Sequence, residues 1–137
     1  MAADYGLTYQ LHPSLGTLSA TAEGFLHFYE AVGRKNLKFT LDTANQFLMK
    51  DNLALALLRL KDHLDYIHLS DNQGIKLEHL GLGDGNIAWD EFFQTLKRIN
   101  FDGYLGLDIG GDESDLEDLD EAYKLSLEFV KNRWNAR

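Results

Sequence analysis

The segment Leu64-Asp-Tyr-Ile-His-Leu69 is a short run rich in strand-forming residues, and it leads through Ser70-Asp71 into a long loop with several glycines. After this loop, apolar residues recur every three or four positions, which is the spacing of a helix that packs one face against a sheet. The helical stripe consists of Trp89, Phe92, Phe93, Leu96 and Ile99. A strand followed by an amphipathic helix forms a βα unit.

The same order of strand and helix occurs at three other places along the chain. The other strand-like runs are Gly6–Leu11, Leu37–Leu41 and Tyr104–Ile109. Helices are expected from about Ser19 to Arg34, from near Asp51-Asn52, and along a final stripe of Leu116, Leu119, Tyr123, Leu127, Val130 and Trp134. Four consecutive βα units without a proline-rich linker predict one α/β domain with a parallel sheet over residues 1–137. An open four-stranded sheet with helices on both faces is the alternative architecture.

Composition and charge limit the possible partners. The chain has 137 residues, of which 45% are hydrophobic, so it can bury a core. Its 22 acidic and 13 basic residues give a formal net charge of −9. This charge disfavours nucleic acid and anionic membrane surfaces as partners, because proteins bind both through Lys and Arg.

The sequence also bears on the cellular compartment. It contains no cysteine, which excludes disulfides, thiol catalysis and cysteine-based metal sites. The first residues lack the basic start and apolar core of a signal peptide. The longest strongly apolar stretch, Leu53–Leu60, is too short to cross a bilayer. We therefore expect a cytoplasmic protein.

The acidic segment Asp112–Asp118 has two possible interpretations. Its carboxylates could form a calcium site, but their spacing favours the solvated first turn of the last helix, where negative charge complements the helix dipole. The segment is therefore predicted to be a helix start.

A second motif, Gly81-Leu-Gly-Asp-Gly85, resembles the start of a dinucleotide-binding fingerprint only superficially. It follows a loop rather than a strand, and the remaining spacing does not fit. Its glycines either let the backbone fold tightly beside a ligand or form turns.

Polar side chains close every predicted strand. They are Gln10 and His12, Asp42 with Asn45, His68 with Asp71, and Asp108. Because functional groups of parallel α/β sheets lie beyond the carboxyl ends of the strands, these side chains are expected to converge. Carboxylate, imidazole and amide-oxygen donors suit a divalent cation such as Mn²⁺ or Mg²⁺, and Zn²⁺ less comfortably. The alternative is that they cap helices or bind loop backbone.

Five segments together resemble a known family. They are Tyr9–Pro13, Asn36–Asn45, Tyr66–Asp71, His79–Ile87 and Phe101–Ile109. In order and spacing they are similar to the xylose isomerase-like TIM-barrel superfamily, in its sugar and sugar-phosphate isomerase/epimerase branch. The resemblance implies that the chain is the C-terminal half of an eight-unit barrel.

The resemblance also implies roles for particular residues. The four metal ligands of the branch, Glu, Asp, His and Glu, fall on Gln10, Asp42, His68 and Asp108, and the two Glu positions are also the catalytic bases. The expected contacts with substrate are His12, Asn45, Asp71 and His79. The acidic chain and the Asn45 substitution for a family histidine argue against the endonuclease IV branch.

Two of the four ligand positions are altered, and this leaves two classes of function. A neutral Gln10 amide cannot act as a base, and Asp108 is one methylene, or about 1.5 Å, shorter than Glu. The chain is therefore expected to be either a sugar isomerase/epimerase-like enzyme with a weakened metal site, or a non-catalytic half-barrel that binds a polyol or a partner chain.

Half of a barrel leaves its two outer strands unpaired. A two-fold dimer, in which the first strand of each chain pairs with the last strand of the other, would close eight strands. The alternatives are a complementary half-barrel chain as the partner, or that these residues are a fragment of a longer protein.

Overall fold

The computed structural model describes residues 2–17, 19–114 and 116–136. Four parallel strands form one sheet in the order β1-β2-β3-β4. The strands are β1 (Tyr9–Leu11), β2 (Leu37–Asp42), β3 (Leu64–Leu69) and β4 (Tyr104–Leu107). The prediction of a parallel α/β fold is confirmed.

The strand order follows the chain without reversal. Since parallel crossovers are right-handed, connections that always move in the same direction place their helices on one face of the sheet. The alternative with helices on both faces needs a reversal of strand order and does not fit. The sheet has instead the connectivity of a barrel segment.

Five α-helices accompany the strands. They are α1 (Ala22–Val32), α2 (Thr43–Leu48), α3 (Leu53–Leu60), α4 (Trp89–Arg98) and α5 (Leu119–Asn135), with short 3₁₀ turns at Ala2–Tyr5 and Lys61–His63. Within the described ranges, no helix combines the length and the apolar character needed to cross a membrane.

Capping residues set the ends of α1. The side chain of Thr21 accepts a hydrogen bond from the Gly24 N–H at 3.1 Å, which satisfies a free donor of the first turn. Gly33 ends the helix in the left-handed conformation, with φ of 63°, and its N–H donates to the Tyr29 carbonyl. The helix is therefore shorter at both ends than the predicted Ser19 to Arg34.

The sequence-based prediction missed one helix and misplaced the start of another. Helix α2 was not predicted; it begins directly after β2, and the Asp42 carboxylate caps it by accepting from the Asn45 N–H at 2.9 Å. The acidic segment before α5 is not a helix start, because α5 begins only at Leu119 with Asp118 as its cap. Leu116 lies before the helix, and Asp115 lies outside the described residues.

The core lies between the helices and one face of the sheet. Its centre is fully buried and consists of Phe25, Phe39, Leu41, Leu57, Leu60, Ile67, Phe92 and Leu96. Side chains alternate between the two faces of a strand, so the residues between these core positions point away from the helices. On β2 and β3 these include Thr40, Asp42, Tyr66 and His68, which give the second face its polar character.

The two outer strands have free edges. Among the described residues, β1 pairs only with β2 and β4 pairs only with β3. Tyr9 on β1 is 59% exposed and Tyr104 on β4 is 75% exposed. A closed barrel would cover both edges.

Candidate metal centre

Five titratable side chains meet where the parallel strands end. They form two groups, His12–Asp42–His68 and Asp42–His79–Asp108, and within each group the potential ligand atoms lie within 4.8 Å of one another. His12 follows β1, Asp42 ends β2, His68 is in β3, Asp108 follows β4, and His79 is in the loop after β3. The predicted convergence of Asp42, His68 and Asp108 is therefore present, and Asp42 is common to both groups.

Asp42 is the buried centre of the cluster. Its Oδ2 accepts hydrogen bonds from Asn45 Nδ2 at 2.9 Å and from His12 Nε2 at 3.0 Å, and its Oδ1 accepts from the Asn45 backbone. Burial raises the pKa of Asp42, but the hydrogen bonds from His12 and the Asn45 backbone, with the nearby His79, outweigh burial and lower it. Asp42 is thus held as a carboxylate.

His12 is the partly exposed member of the cluster. Its hydrogen bond to Asp42 raises the pKa of the imidazole, although partial burial opposes this shift. Its ring also lies against the ring of His68, with 4.7 Å between centroids. A cation that bound both His12 and Asp42 would have to replace the hydrogen bond between them, since metal ligands must give up their protons.

His68 carries a buried nitrogen without a hydrogen bond. Its Nδ1 lies 3.1 Å from Asp108 Oδ2, but the contact lacks hydrogen-bond geometry, and Nδ1 has no other partner in the described part of the chain. Buried polar atoms are rarely left unsatisfied, and a missing ion is one of the usual reasons. Imidazole nitrogen beside carboxylate oxygen also suits a divalent cation chemically, so the donor set fits a metal.

His79 joins the loops that follow β3 and β4. Its Nδ1 is hydrogen-bonded to Ser70 Oγ at 2.9 Å and lies 3.8 Å from Asp108 Oδ2. Its backbone N–H donates to Ser114 Oγ at 2.8 Å, and its carbonyl accepts from the Gly110 N–H at 2.9 Å. The structure therefore places His79 beside Asp108, and its contact with a substrate stays a prediction.

Asn45 is almost fully buried, and its amide donates to Asp42. It orients the Asp42 carboxylate in this structure, and its limited exposure leaves little surface for the predicted substrate contact.

The predicted ligand Gln10 makes its side-chain hydrogen bond to a residue outside the five side chains of the cluster. It pairs in register with Lys38, and its Oε1 accepts from Thr40 Oγ1 at 3.4 Å. Thr40 is two residues before Asp42, which corresponds to roughly 6.6 Å along a strand. His12, which follows β1 two residues beyond Gln10, is the residue that reaches Asp42. In the sequence, Pro13 directly after His12 marks the end of the strand and so indicates that His12 lies at the edge where Asp42 also lies.

Asp71 is a structural residue rather than a substrate contact. Its carboxylate is fully buried and accepts from the N–H groups of Asn72, Gly83 and Ile87 and from Trp89 Nε1. A carboxylate with no exposed surface cannot touch a substrate, so the prediction for Asp71 is corrected. The glycines of the nearby loop serve this anchor: Gly83 donates to it, and Gly85 packs against it.

Comparisons with known proteins show the family of the chain. The family model described as "Xylose isomerase-like TIM barrel" matches residues 1–133. The chain is 27% identical to an L-ribulose 3-epimerase of Methylomonas sp. (strain DH-1), covering 97% of the chain and 51% of that protein. It is 30% identical to a D-psicose 3-epimerase of Enterocloster bolteae, covering 64% of the chain and 28% of that protein.

A solved structure also matches nearly the whole chain, over about half of its own length. The crystal structure of a D-allulose 3-epimerase from Methylomonas sp. superposes with a TM-score of 0.80 at 26% identity, covering 96% of the chain and 50% of that structure. The chain thus spans about half the length, or less, of these relatives. On the match of the family model over residues 1–133, the chain belongs to the xylose isomerase-like TIM barrel family, and it corresponds to about half of such a barrel.

Proposed function

We propose that the chain is the metal-binding half of a sugar or sugar-phosphate isomerase or epimerase, with Asp42, His68 and Asp108 holding a divalent cation. The observation that carries the proposal is the buried, unsatisfied Nδ1 of His68 beside Asp108. The relatives support the substrate class, because two of them are named as a D-psicose 3-epimerase and an L-ribulose 3-epimerase. Mn²⁺, Mg²⁺ and Zn²⁺ are the candidate cations.

In the proposed centre, Asp42 holds the cation and Asp108 also transfers a proton. A bound divalent cation would polarise a substrate carbonyl and so acidify the neighbouring C–H bond. Asp42 is fully buried and accepts hydrogen bonds on both oxygens, so it serves as a fixed ligand. The side chain of Asp108 is 44% exposed, which allows its carboxylate to take up a proton from a substrate carbon.

The residues favour transfer by a single base. Inversion at carbon needs a second base on the opposite side of the substrate, and the neutral Gln10 amide cannot serve there. We propose that Asp108 removes a proton on one side of the substrate and returns it on the same side, to the same carbon or to its neighbour, which supports proton exchange or isomerisation but not epimerisation. A non-catalytic half-barrel that binds a polyol is the second candidate function, and Gln10 is the residue that favours it.

The assembled protein needs a partner for its two free sheet edges. A second copy of the chain, or a complementary half-barrel, would supply the strands and the substrate-contacting loops of the other half. The expectations of a cytoplasmic location and of no nucleic-acid or membrane partner stay predictions.

Metal binding and proton exchange test the proposal. The purified chain is freed of metal with a chelator and titrated calorimetrically with Mn²⁺, and we expect saturable binding that Asp42→Asn weakens. Asp84→Asn, in an exposed loop position, is the matched control. The metal-loaded protein, in the assembled state identified by light scattering, is then incubated with ketoses in D₂O, where one-base transfer gives deuterium at the carbon beside the carbonyl without inversion. Absence of metal binding contradicts the proposal, and metal binding without exchange favours the polyol-binding candidate.

A further inference from the structure

We propose that His12 is a metal ligand in its own right, so that the centre presents two imidazoles and two carboxylates and prefers Zn²⁺ or Co²⁺ to Mn²⁺ or Mg²⁺. This inference rests on the metal centre of the proposed function and adds both a ligand and a selectivity to it.

The position of His12 carries the first step. Its Nε2 lies 3.0 Å from Asp42 Oδ2, and potential ligand atoms of His12, Asp42 and His68 lie within 4.8 Å of one another. Two ligand atoms bound tetrahedrally to one zinc, each at about 2.1 Å, lie about 3.4 Å apart. Small side-chain rotations would therefore bring the three residues onto a single cation.

The backbone supports the placement of His12. It directly precedes Pro13, which is buried. A residue before proline is restricted to extended conformations, so the direction of the His12 side chain from the end of β1 is limited. The side chain is 41% exposed, which leaves a path for a cation to enter from solvent.

The competing residue on β1 is Gln10. Its amide oxygen accepts from Thr40 rather than meeting Asp42. His12 lies two residues beyond Gln10, which is the spacing at which the side chains of an extended chain point to the same side. Of the two, His12 is at the strand end, where Asp42 and His68 also lie.

The donor set then determines the preferred metal. Mg²⁺ and Mn²⁺ favour carboxylate, carbonyl and water oxygens, whereas imidazole suits zinc and other late first-row metals. With the Gln10 amide oxygen bonded to Thr40 and His79 Nδ1 bonded to Ser70 Oγ, the remaining donors are the imidazoles of His12 and His68 and the carboxylates of Asp42 and Asp108. Two carboxylates still balance the charge of one divalent cation.

The test measures metal selectivity on the full chain. Zn²⁺, Co²⁺ and Mn²⁺ affinities are determined by calorimetry with chelator competition for the wild type, His12→Asn, His12→Glu and Gln10→Glu. We expect His12→Asn to weaken Zn²⁺ and Co²⁺ at least about tenfold and to change the visible spectrum of bound Co²⁺. We expect His12→Glu to lower the ratio of Zn²⁺ to Mn²⁺ affinity and Gln10→Glu to leave it unchanged. His27→Asn removes an exposed imidazole on α1 and is the matched control.

The wild type provides a measurement that does not depend on a folded variant. In ¹H–¹⁵N spectra of the histidine rings, addition of one equivalent of Zn²⁺ should shift the ring nitrogens of His12 together with those of His68. Metal binding that leaves the His12 nitrogens unshifted, or a selectivity that responds to Gln10→Glu instead of His12→Glu, overturns the inference while the proposed function stands. A wild-type chain that binds no divalent metal overturns both.

Discussion

Trp89 Nε1 donates a 2.7 Å hydrogen bond to Asp71 Oδ2, and this bond ties the start of α4 to the residue that follows β3 and Ser70. The same carboxylate accepts from the backbone N–H groups of Gly83 at 2.9 Å and Ile87 at 3.2 Å. One buried side chain thus organises the long loop that carries His79. The loop is held by a hydrogen-bond network, and the stability of that network can be measured.

Asp71→Asn is expected to destabilise the protein by about 2 kcal/mol. An Asn side chain has only one acceptor oxygen. Its NH₂ group would face N–H groups that now donate hydrogen bonds to the carboxylate, and those donors would lose their acceptor. The free energy of unfolding from urea titration measures the loss. Asp84→Asn changes an exposed carboxylate of the same loop and should cost far less. Equal losses in the two variants would show that Asp71 is not the anchor.

Gly85→Ala tests the same anchor by adding a methyl group next to the Asp71 carboxylate. A Cβ at Gly85 would contact Asp71 Oδ1 and lie 2.6 Å from the Asn72 backbone nitrogen, and backbone atoms cannot yield at low cost. We expect a loss of about 3 kcal/mol, which is the upper range for overpacking. At Gly81 the nearest atom to an added Cβ is Asp84 Oδ2 at 2.7 Å, the end of an exposed side chain. Gly81→Ala should therefore be much milder in thermal denaturation, and a reversed order would contradict the structure.

The fold was predictable where the periodicity of the sequence is strong. Strand β3 and helix α4 lie where the alternation and the apolar stripe placed them. Helix α2 was not predicted, because its six residues are too few to show a periodic apolar stripe and because it follows β2 without a loop. The start of α5 was misplaced because several carboxylates in that segment could serve as a cap, and the sequence does not distinguish Asp118 from the others.

For the metal centre, the sequence predicts which strand ends carry the ligands but not every ligand residue. Asp42, His68 and Asp108 follow from the rule that parallel strands end at one edge of the sheet. The choice between Gln10 and His12 did not follow, because residues two apart share a face and only the position of the strand end separates them. The role of Asp71 depends on Trp89, 18 residues away, and no local pattern indicates that contact.

His63 is expected to make folding stability dependent on pH. Burial against Tyr29, with a ring separation of 4.2 Å, and the positive charge of Lys38 lower the pKa of its imidazole in the folded state. Below its ordinary pKa near 6.5, the unfolded chain therefore binds this proton more readily than the folded one. The contribution of neutral His63 to stability is complete above that pH and falls as the pH decreases toward the lowered value.

His63→Gln should flatten this part of the stability curve. Urea titrations at several pH values between about 5 and 7.5 give the difference between wild type and variant, which cancels the contributions of the other histidines. His27→Gln serves as the comparison, because it removes a histidine at an exposed position. Parallel curves for the wild type and His63→Gln would contradict the assignment.

The free edges of β1 and β4 predict association of this chain in solution. Each edge presents unpaired backbone N–H and C=O groups, and exposed tyrosines, Tyr9 and Tyr104, lie beside them. We expect light scattering to give about twice the chain mass of 15.6 kDa. Lysine is a common protection against edge pairing, so the double variant Tyr9→Lys/Tyr104→Lys should weaken association at least about tenfold. Leu55→Lys, at an exposed apolar position on α3, is the control and should associate like the wild type. A wild type that stays monomeric at all concentrations would contradict pairing with a second copy and would favour a complementary half, on a separate chain or within a longer protein.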